Sequence, residues 1–163
     1  MSRFSESLFR VGESEKGYAL KLTLKEFVEY LVYNRDDSPL YVFEMGIEGH
    51  PEARDLMGDY KVAKFFEENI FVDMLGETAS PPHRWWLLGP QRSGSMIHQD
   101  PLSTSAWNTS LSGRKRWLLI KPSPQITAWH VKGIEFSENH EEKTDAITYF
   151  DEVLPKIKAA YGP

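Results

Sequence analysis

Residues 94–101 read GSMIHQDP, and within them His98 and Asp100 stand two positions apart. Side chains at positions i and i+2 of a β-strand point to the same face. On a strand, these two residues would direct an imidazole and a carboxylate into one cavity. That pair is two-thirds of the 2-His-1-carboxylate triad, which binds non-haem Fe(II) and leaves positions open for a co-substrate and O2. The spacing alone is a weak signal, because Asp100-Pro101 also fits the start of a turn.

The composition indicates a packed soluble domain. The chain has 163 residues, of which 40% are hydrophobic and 13% aromatic, which suits one domain with its own core. The net charge of −5 argues against nonspecific binding to nucleic acid or to an anionic membrane. The sequence shows no apolar run of membrane-spanning length and no secretory signal at its start, so we expect an intracellular protein. Without cysteine, a metal would be held by His, Asp or Glu, which favours Fe(II), Mn(II) or Zn(II).

Local signals predict alternating helices and strands in the first ninety residues. Thr23 and Glu26 have the spacing of a capping box, and apolar residues then recur at helical intervals. Two short runs that are rich in aromatic, aliphatic or β-branched residues, and bounded by turn residues, read as strands. The predicted elements are a helix over 24–33, a strand over 40–43, a helix over 51–56 and a strand over 84–88.

The second half of the chain predicts a β-hairpin and a helix. Residues 104–111 and 115–120 mix apolar and polar side chains, and Gly113 between them can adopt a positive φ. Residues 144–161 have a helical apolar stripe, with Pro155 as a kink or break. Tryptophan packs well in sheet interiors, so the core and cavity wall are expected to include Trp85, Trp86, Trp107 and Trp117.

Lys115, at the start of the second hairpin strand, has two readings. A lysine on an inward face is costly unless a carboxylate meets it, and a dicarboxylate co-substrate would be such a partner. Lys115 also belongs to the basic trio 114–116, which fits the exposed end of a hairpin. From composition alone, the exposed position is the better interpretation.

The chain contains, in order, the runs RDDSPLYVFE, DYKVAKFF, PPHRWWLLGP, RSGSMIHQDPL, TSAWN, GRKRW and DAITYF. Together they resemble the Jumonji-C (JmjC) domain of Fe(II)- and 2-oxoglutarate-dependent oxygenases, nearest to the branch of bifunctional arginine demethylases and lysyl-hydroxylases. The resemblance implies a mainly β fold with flanking helices, a cupin-like double-stranded β-helix (jelly roll) that is incomplete at its C-terminus. Within one domain, residues 1–80 would pack on the barrel. Residues 81–163 would form the first part of the barrel and an insertion helix.

The resemblance also implies roles for particular residues. His98 and Asp100 match the first two iron ligands. Lys115 matches the lysine that pairs with the far carboxylate of 2-oxoglutarate, a role that suits a compact cation. Three further positions match the co-substrate pocket, and they are Ser95 (where the family usually has threonine), Asn108 and Tyr41.

The third metal ligand of the family is a second histidine on a late strand, and the sequence stops before a matching position. The remaining histidines are expected to be surface or structural residues, and they are His50, His83, His130 and His140. The resemblance therefore implies a 2-oxoglutarate-dependent dioxygenase of which this chain holds only part of the iron site. We expect the isolated chain to bind iron poorly and to be weak or inactive.

The implied activity is lysyl hydroxylation, N-methyl-arginine demethylation or both, on a nuclear protein substrate such as a histone tail or a splicing-factor-like peptide. The residues do not favour one outcome over the other. One alternative is a non-catalytic JmjC-like module for protein binding, which a missing ligand would suit. Another is a plain cupin that holds zinc or manganese, against which Lys115, Asn108 and Ser95 favour 2-oxoglutarate.

Overall fold

The computed structural model describes residues 2–14, 16–76, 78–121, 124, 127–132, 134–136 and 145–162. The chain divides into an N-terminal unit, Met1–Ser93, and a C-terminal unit, Gly94–Pro163. The strands in these ranges are β1 (Leu8–Glu13), β2 (Ala19–Thr23), β3 (Val42–Met45) and β4 (Trp85–Leu88). The α-helices there are α1 (Leu24–Tyr33), α2 (Ile70–Leu75), α3 (Ala128–Val131), α4 (Ala146–Thr148) and α5 (Leu154–Tyr161). Across the described ranges, every helix is too short or too polar to cross a membrane.

The strands of the N-terminal unit form two antiparallel pairs. Strand β1 pairs with β2, and the register shifts between Arg10 and Gly12. Strand β3 pairs with β4 in regular register from Val42 opposite Leu88. The backbone N–H of Tyr41 donates to the carbonyl oxygen of Val11 at 3.1 Å. That bond joins the start of β3 to β1, so the two pairs lie side by side.

Helix α1 begins at the capping box that the sequence predicts, and its bounds of 24–33 are confirmed. The Thr23 hydroxyl accepts from the Glu26 N–H at 3.2 Å. In return, the Glu26 carboxylate accepts from the hydroxyl and the N–H of Thr23, at 2.7 and 2.8 Å. These bonds, led by that from the hydroxyl, lower the pKa of the Glu26 carboxyl from its usual value because they favour its charged form.

One apolar core holds α1 against the strands. The side chains of Phe9, Val11, Phe27 and Val42 are almost completely buried there. Phe9 meets the ring of Trp86 edge-on, with 4.9 Å between ring centroids. Burial of side chains of this size stabilises the fold by about 1.5–3 kcal/mol each relative to full exposure, so this core contributes to the stability of the unit through β1, α1 and β3.

The C-terminal unit is built on one long helical segment, residues 146–161. Asp145 caps its start by accepting from the Thr148 N–H at 3.0 Å. A π-helical turn, Tyr149–Val153, joins α4 to α5, and the Leu154 N–H donates to the Tyr149 carbonyl oxygen. The wider turn lies directly before Pro155, which has no N–H to continue the regular ladder. The predicted interruption at Pro155 is thus present as a π turn, and Thr144 lies outside the described residues.

The core of this unit is formed by the side chains on one side of that helical segment. The Tyr149 hydroxyl donates to the Val131 carbonyl oxygen at 2.6 Å, and burial raises the pKa of Tyr149. Ile97, Leu118 and Phe136 pack from other parts of the unit. The buried residues of the segment are Tyr149, Val153, Leu154 and Ile157.

Two predicted elements in the N-terminal unit have shifted bounds. The strand expected over 40–43 occupies Val42–Met45, because the Tyr41 N–H is bonded to β1 and the ladder with β4 starts one residue later. The helix expected over 51–56 is a 3-10 helix at Arg54–Asp59. His50 accounts for the delay, since its ring nitrogen accepts from the N–H groups of Glu52 and Ala53. The strand over 84–88 is confirmed as Trp85–Leu88.

The hairpin predicted for residues 104–120 is not formed, and this prediction was wrong. Gly113 does adopt a positive φ of 80°, but no strand is assigned in that described range. Its side chains are mostly exposed, and a two-stranded ribbon that buries little apolar surface is only marginally stable. The strands of the described residues are therefore the four short ones of the N-terminal unit. A jelly roll stays a prediction.

The tryptophans divide between the core and the surface. Trp86 packs against the N-terminal core, as expected. Trp85, Trp107 and Trp117 are 38, 43 and 59% exposed, so they are not core residues here, and their place in a cavity wall stays a prediction. Trp107 and Trp117 lie on the segment whose strands are absent, and without a sheet they have no interior to fill.

We predict that Thr23→Ala lowers the free energy of unfolding by about 1 kcal/mol, because it removes the hydroxyl that caps α1. The same change should raise the pKa of Glu26 toward its usual value of 4.5. Urea denaturation and an NMR titration of the Glu26 carboxyl measure the two effects. Thr109→Ala, at an exposed position without secondary structure, is the control. Equal stability losses in the two variants would contradict the role of the cap.

Candidate metal centre

His98 and Asp100 lie in an irregular segment between β4 and a 3-10 turn at Pro101–Ser103, so they are not on a strand. The two side chains nevertheless converge, with 3.4 Å between His98 Nε2 and Asp100 Oδ1. The side chain of His98 is 55% exposed and that of Asp100 is 34% exposed. The sequence thus predicted the contact correctly but its origin wrongly, because a bend and not strand alternation brings the groups together.

The second ring nitrogen of His98 fixes the orientation of the imidazole. His98 Nδ1 lies 2.6 Å from the carbonyl oxygen of Met96. A carbonyl oxygen can only accept, so Nδ1 carries the proton in this contact and a neutral ring presents its lone pair at Nε2. Metal-binding histidines usually donate their other N–H to a carbonyl or carboxylate in this way. The ring is therefore held with its free nitrogen beside the Asp100 carboxylate.

These two donors fit one small divalent ion. At metal–ligand distances of about 2.1 Å, two ligands on one ion stand about 3.0–3.4 Å apart for angles between 90° and 109°. The observed separation of 3.4 Å lies at the edge of that range. One imidazole nitrogen and one carboxylate oxygen suit Fe(II), Mn(II) or Zn(II). Among the described residues, no group of three or more His, Asp or Glu side chains could hold a metal, and ligation by His98 and Asp100 stays a prediction.

Packing on the C-terminal helical segment positions this part of the chain. Ile97, directly before His98, is partly buried against the core of Tyr149 and its neighbours. Gly94 lies against Ala146, since a Cβ at Gly94 would stand 3.4 Å from the Ala146 Cβ. Met96, between them, is 51% exposed. Residues 94–97 are thereby held on the helical segment. The backbone position from which His98 extends is therefore fixed.

Lys115 extends from a segment that is attached to the same helical segment. Arg116 stacks its guanidinium on the Phe150 ring at 4.3 Å, and Leu118 packs into the core. The Lys115 side chain lies over the Trp117 ring, with its Nζ 5.1 Å from the ring centroid. Within the ranges that the structure covers, no carboxylate pairs with Lys115. It is exposed, as the composition suggested, and its charge can meet an anion.

The three other predicted pocket residues lie in different settings. Ser95 is exposed three residues before His98, and Asn108 is exposed in the segment without regular structure. Tyr41 belongs to the N-terminal unit, where its ring meets Phe43 edge-on with centroids 6.0 Å apart. The structure brings His98 and Asp100 together, while co-substrate contact by Ser95, Asn108, Tyr41 and Lys115 stays a prediction.

The remaining described histidines have structural contacts, as predicted. His50 is 8% exposed and stacks on Phe9 at 4.8 Å, and its Nε2 lies 3.1 Å from the Leu8 carbonyl oxygen. His83 lies 3.5 Å from the Glu48 carboxylate. His130 accepts from the Thr127 N–H at 3.1 Å. His140 lies outside the described residues.

Sequence reasoning missed the two residues that hold His98 in place. The carbonyl of Met96 orients the ring and Ile97 anchors the backbone, and neither has a chemical motif of its own. The one available signal was Ile97 itself, the only aliphatic residue in the run GSMIHQDP.

The chain is similar in sequence to several known proteins. A bifunctional arginine demethylase and lysyl-hydroxylase of Caenorhabditis briggsae is 37% identical over 161 residues, which cover 99% of this chain and 40% of that protein. A lysine-specific demethylase of Arabidopsis thaliana is 40% identical over 121 residues, 74% of this chain and 12% of that protein. A 2-oxoglutarate and iron-dependent oxygenase homologue of Drosophila melanogaster is 28% identical over 67 residues, 41% of this chain and 16% of that protein. The chain spans about two-fifths of the length of the nematode relative. No protein-family model matches the chain.

We predict that Ile97→Ala lowers the free energy of unfolding by about 1–2 kcal/mol, because it removes partly buried methyl groups from the core of the C-terminal unit. Met96→Ala keeps the carbonyl that receives His98 and alters only an exposed side chain, so it should change stability by less than about 0.5 kcal/mol. Urea denaturation of both variants makes the comparison. A larger loss for Met96→Ala would show that residues 94–97 are not anchored through Ile97.

Proposed function

We propose that the chain belongs to the JmjC oxygenases of the arginine demethylase and lysyl-hydroxylase branch, whose nematode members it resembles over nearly its whole length, and that it carries part of an Fe(II)- and 2-oxoglutarate-dependent active site. In this proposal His98 and Asp100 bind the iron. The supporting observation is the convergence of His98 Nε2 and Asp100 Oδ1 to 3.4 Å, with Nδ1 already engaged by the Met96 carbonyl. A histidine in this state needs no rearrangement to act as a metal ligand.

The residues of this chain would orient the reactants and hold charge. Bound Fe(II) supplies, with 2-oxoglutarate and O2, the oxidation of a substrate C–H bond with release of succinate and CO2. Asp100 contributes a negative charge and an oxygen donor, and His98 contributes a neutral nitrogen donor. Lys115 would pair with the far carboxylate of 2-oxoglutarate, with Ser95 and Asn108 donating hydrogen bonds nearby. For Tyr41, co-substrate contact stays what the resemblance implies.

We further propose a protein substrate for the complete active site. The nematode relative is named as an arginine demethylase and lysyl-hydroxylase, so the group to be oxidised would be a lysine side chain or an N-methyl group of arginine. A histone tail or a splicing-factor-like peptide presents both kinds of group, and a nuclear location belongs to the same proposal. The net charge of −5 favours a basic peptide over nucleic acid as the partner.

A second candidate function is protein binding without catalysis. The observation that favours it is that the described residues bring together only two metal-ligating side chains. In that case the two side chains would interact with each other across 3.4 Å, and the chain would recognise a partner through its surface alone. Metal binding separates the two functions, because only an iron site depends on both His98 and Asp100.

We predict that the chain binds Mn(II), a redox-stable substitute for Fe(II), and that His98→Ala or Asp100→Ala weakens binding about tenfold or more. The loss of a ligand from an ion that has few protein donors corresponds to at least about 1.4 kcal/mol. Electron paramagnetic resonance measures the free Mn(II). His83→Ala, which removes another partly exposed histidine beside a carboxylate, is the matched control. Equal affinities of wild type and His98→Ala would favour the non-catalytic function.

We also predict that Lys115→Ala weakens 2-oxoglutarate binding to the Mn(II)-loaded chain about tenfold, since a hydrogen bond to a charged group is worth about 1.5–3 kcal/mol. Fluorescence of Trp117, whose ring lies 5.1 Å from Lys115 Nζ, should report the ligand. Arg114→Ala removes a neighbouring cation of the same basic trio and should leave affinity within about twofold. If both variants lose affinity equally, general charge and not Lys115 attracts the co-substrate.

A further inference from the structure

Helix α2 (Ile70–Leu75) and the 3-10 turn before it (Lys64–Phe66) expose their apolar side chains to solvent. Both elements lie within the described residues, where none of their side chains is buried. Phe65 is 93% exposed, Ile70 66% and Met74 75%. Exposed apolar side chains that lie close together mark interaction sites, whereas single ones are ordinary. Residues 61–75, the α2 segment, are therefore a candidate interaction surface.

The short length and apolar sequence of α2 mean that it needs a covering partner. It reads IFVDML, and a helix that is apolar on nearly all sides is normally buried. A helix this short has little stability in water without packing. The Asn69 side chain caps it by accepting from the N–H groups of Phe71 and Val72, at 3.1 and 3.3 Å. The cap satisfies backbone donors but buries no apolar surface, so the helix leaves that surface for a partner.

Charged side chains of opposite sign stand on the two sides of the aromatic residues 65–66. Lys61 and Lys64 come before them, and Glu67 and Glu68 come after them. All four are exposed, and within the ranges that the structure describes none of the four is in an ion pair. The α2 segment thus has a basic end, an apolar middle and an acidic end.

We propose that the α2 segment is a dimer interface, and that its partner is the same segment of a second copy of this chain. In a two-fold pair, residue i of one copy meets residue j of the other and the reverse. Two segments that cross antiparallel would therefore place the basic end of each against the acidic end of the other. Phe65 and Ile70 of both copies would pack between these charges.

The charge pattern favours a second copy over a basic peptide. A basic peptide would meet Glu67 and Glu68 favourably, but it would also face Lys61 and Lys64, and like charges across an interface are unfavourable. A second copy satisfies all four charges at once. The proposal concerns residues of the N-terminal unit alone and does not depend on the metal centre.

The dimer should be weak enough to dissociate on dilution. A standard interface takes about 20–30 residues from each partner, more than the α2 segment offers, so we expect a Kd of about 10–100 µM. Sedimentation velocity over a concentration series of the full chain measures it. A chain that stays monomeric up to about 1 mM would overturn the proposal.

The apolar contact is tested by Phe65→Ser, which cannot disturb a core because the ring is 93% exposed. We expect the dimer Kd to rise by about tenfold or more, as is usual for an aromatic residue at the centre of an interface. Tyr18→Ser removes another aromatic side chain that is 71% exposed but lies outside the segment. It should leave the Kd within about twofold. Equal effects of the two variants would overturn the proposal.

Charge reversal tests the identity of the partner. One variant carries Lys61→Glu with Lys64→Glu, and the other carries Glu67→Lys with Glu68→Lys. Each alone should dimerise about tenfold more weakly, because like charges then meet at both ends. An equimolar mixture of the two variants should form a heterodimer with the wild-type Kd, since opposite charges meet again at both ends. A mixture as weak as its components would overturn the proposal.

A basic partner is the competing occupant, and a lysine-leucine repeat peptide is the probe for it. The peptide should not bind the wild-type chain more tightly than the chain binds itself. A chain that stays monomeric but binds this peptide, with affinity lost in the variant that carries Glu67→Lys and Glu68→Lys, would overturn the proposal and assign the α2 segment to a basic peptide.

Discussion

The hydrogen bond from His98 Nδ1 to the Met96 carbonyl oxygen is the contact on which the candidate centre depends. It spans 2.6 Å between residues two apart in the chain, so it forms only if the backbone bends between them. The bend makes Nδ1 the donor to that carbonyl and brings Nε2, where a neutral ring has its lone pair, within 3.4 Å of the Asp100 carboxylate. One backbone conformation thereby determines the tautomer, the ring orientation and the spacing of both donors.

That bend is supported from the C-terminal unit by packing. Ile97 is partly buried against the core beneath Tyr149 and Leu154, while His98 and Met96 on either side remain largely exposed. The helical segment can provide this surface because its π turn before Pro155 keeps residues 149–157 in one continuous element. A side chain that carries chemistry is thus exposed on a backbone that is anchored by an apolar neighbour. This division of roles is what a metal site near a surface requires.

Elements whose signals are complete within a few residues were predictable from the sequence, and elements that need a distant partner were not. The cap of Thr23 and Glu26 defines α1 by itself, and its bounds were correct. Strand β3 begins two residues late because Tyr41 is bonded to Val11, thirty positions away. The hairpin at 104–120 was expected from its pattern, but of its features the structure has only the positive φ of Gly113, since most of its side chains are exposed and an isolated two-stranded ribbon is marginally stable. At the site, spacing predicted that His98 and Asp100 meet, but the tautomer of His98 follows from a backbone bend that no residue pattern specifies.

The most direct test of this account is a long-range ¹H–¹⁵N NMR spectrum of the histidine side chains, recorded before and after addition of Zn(II), with His98→Ala to assign the signals. The account predicts that His98 is protonated at Nδ1, that its Nε2 shows the shift of an unprotonated nitrogen, and that Zn(II) moves the Nε2 signal. The spectra of His50 and His83 should not respond in the same way. A His98 ring protonated at Nε2, or one indifferent to Zn(II), would contradict the claim that the backbone of residues 96–98 prepares a metal ligand.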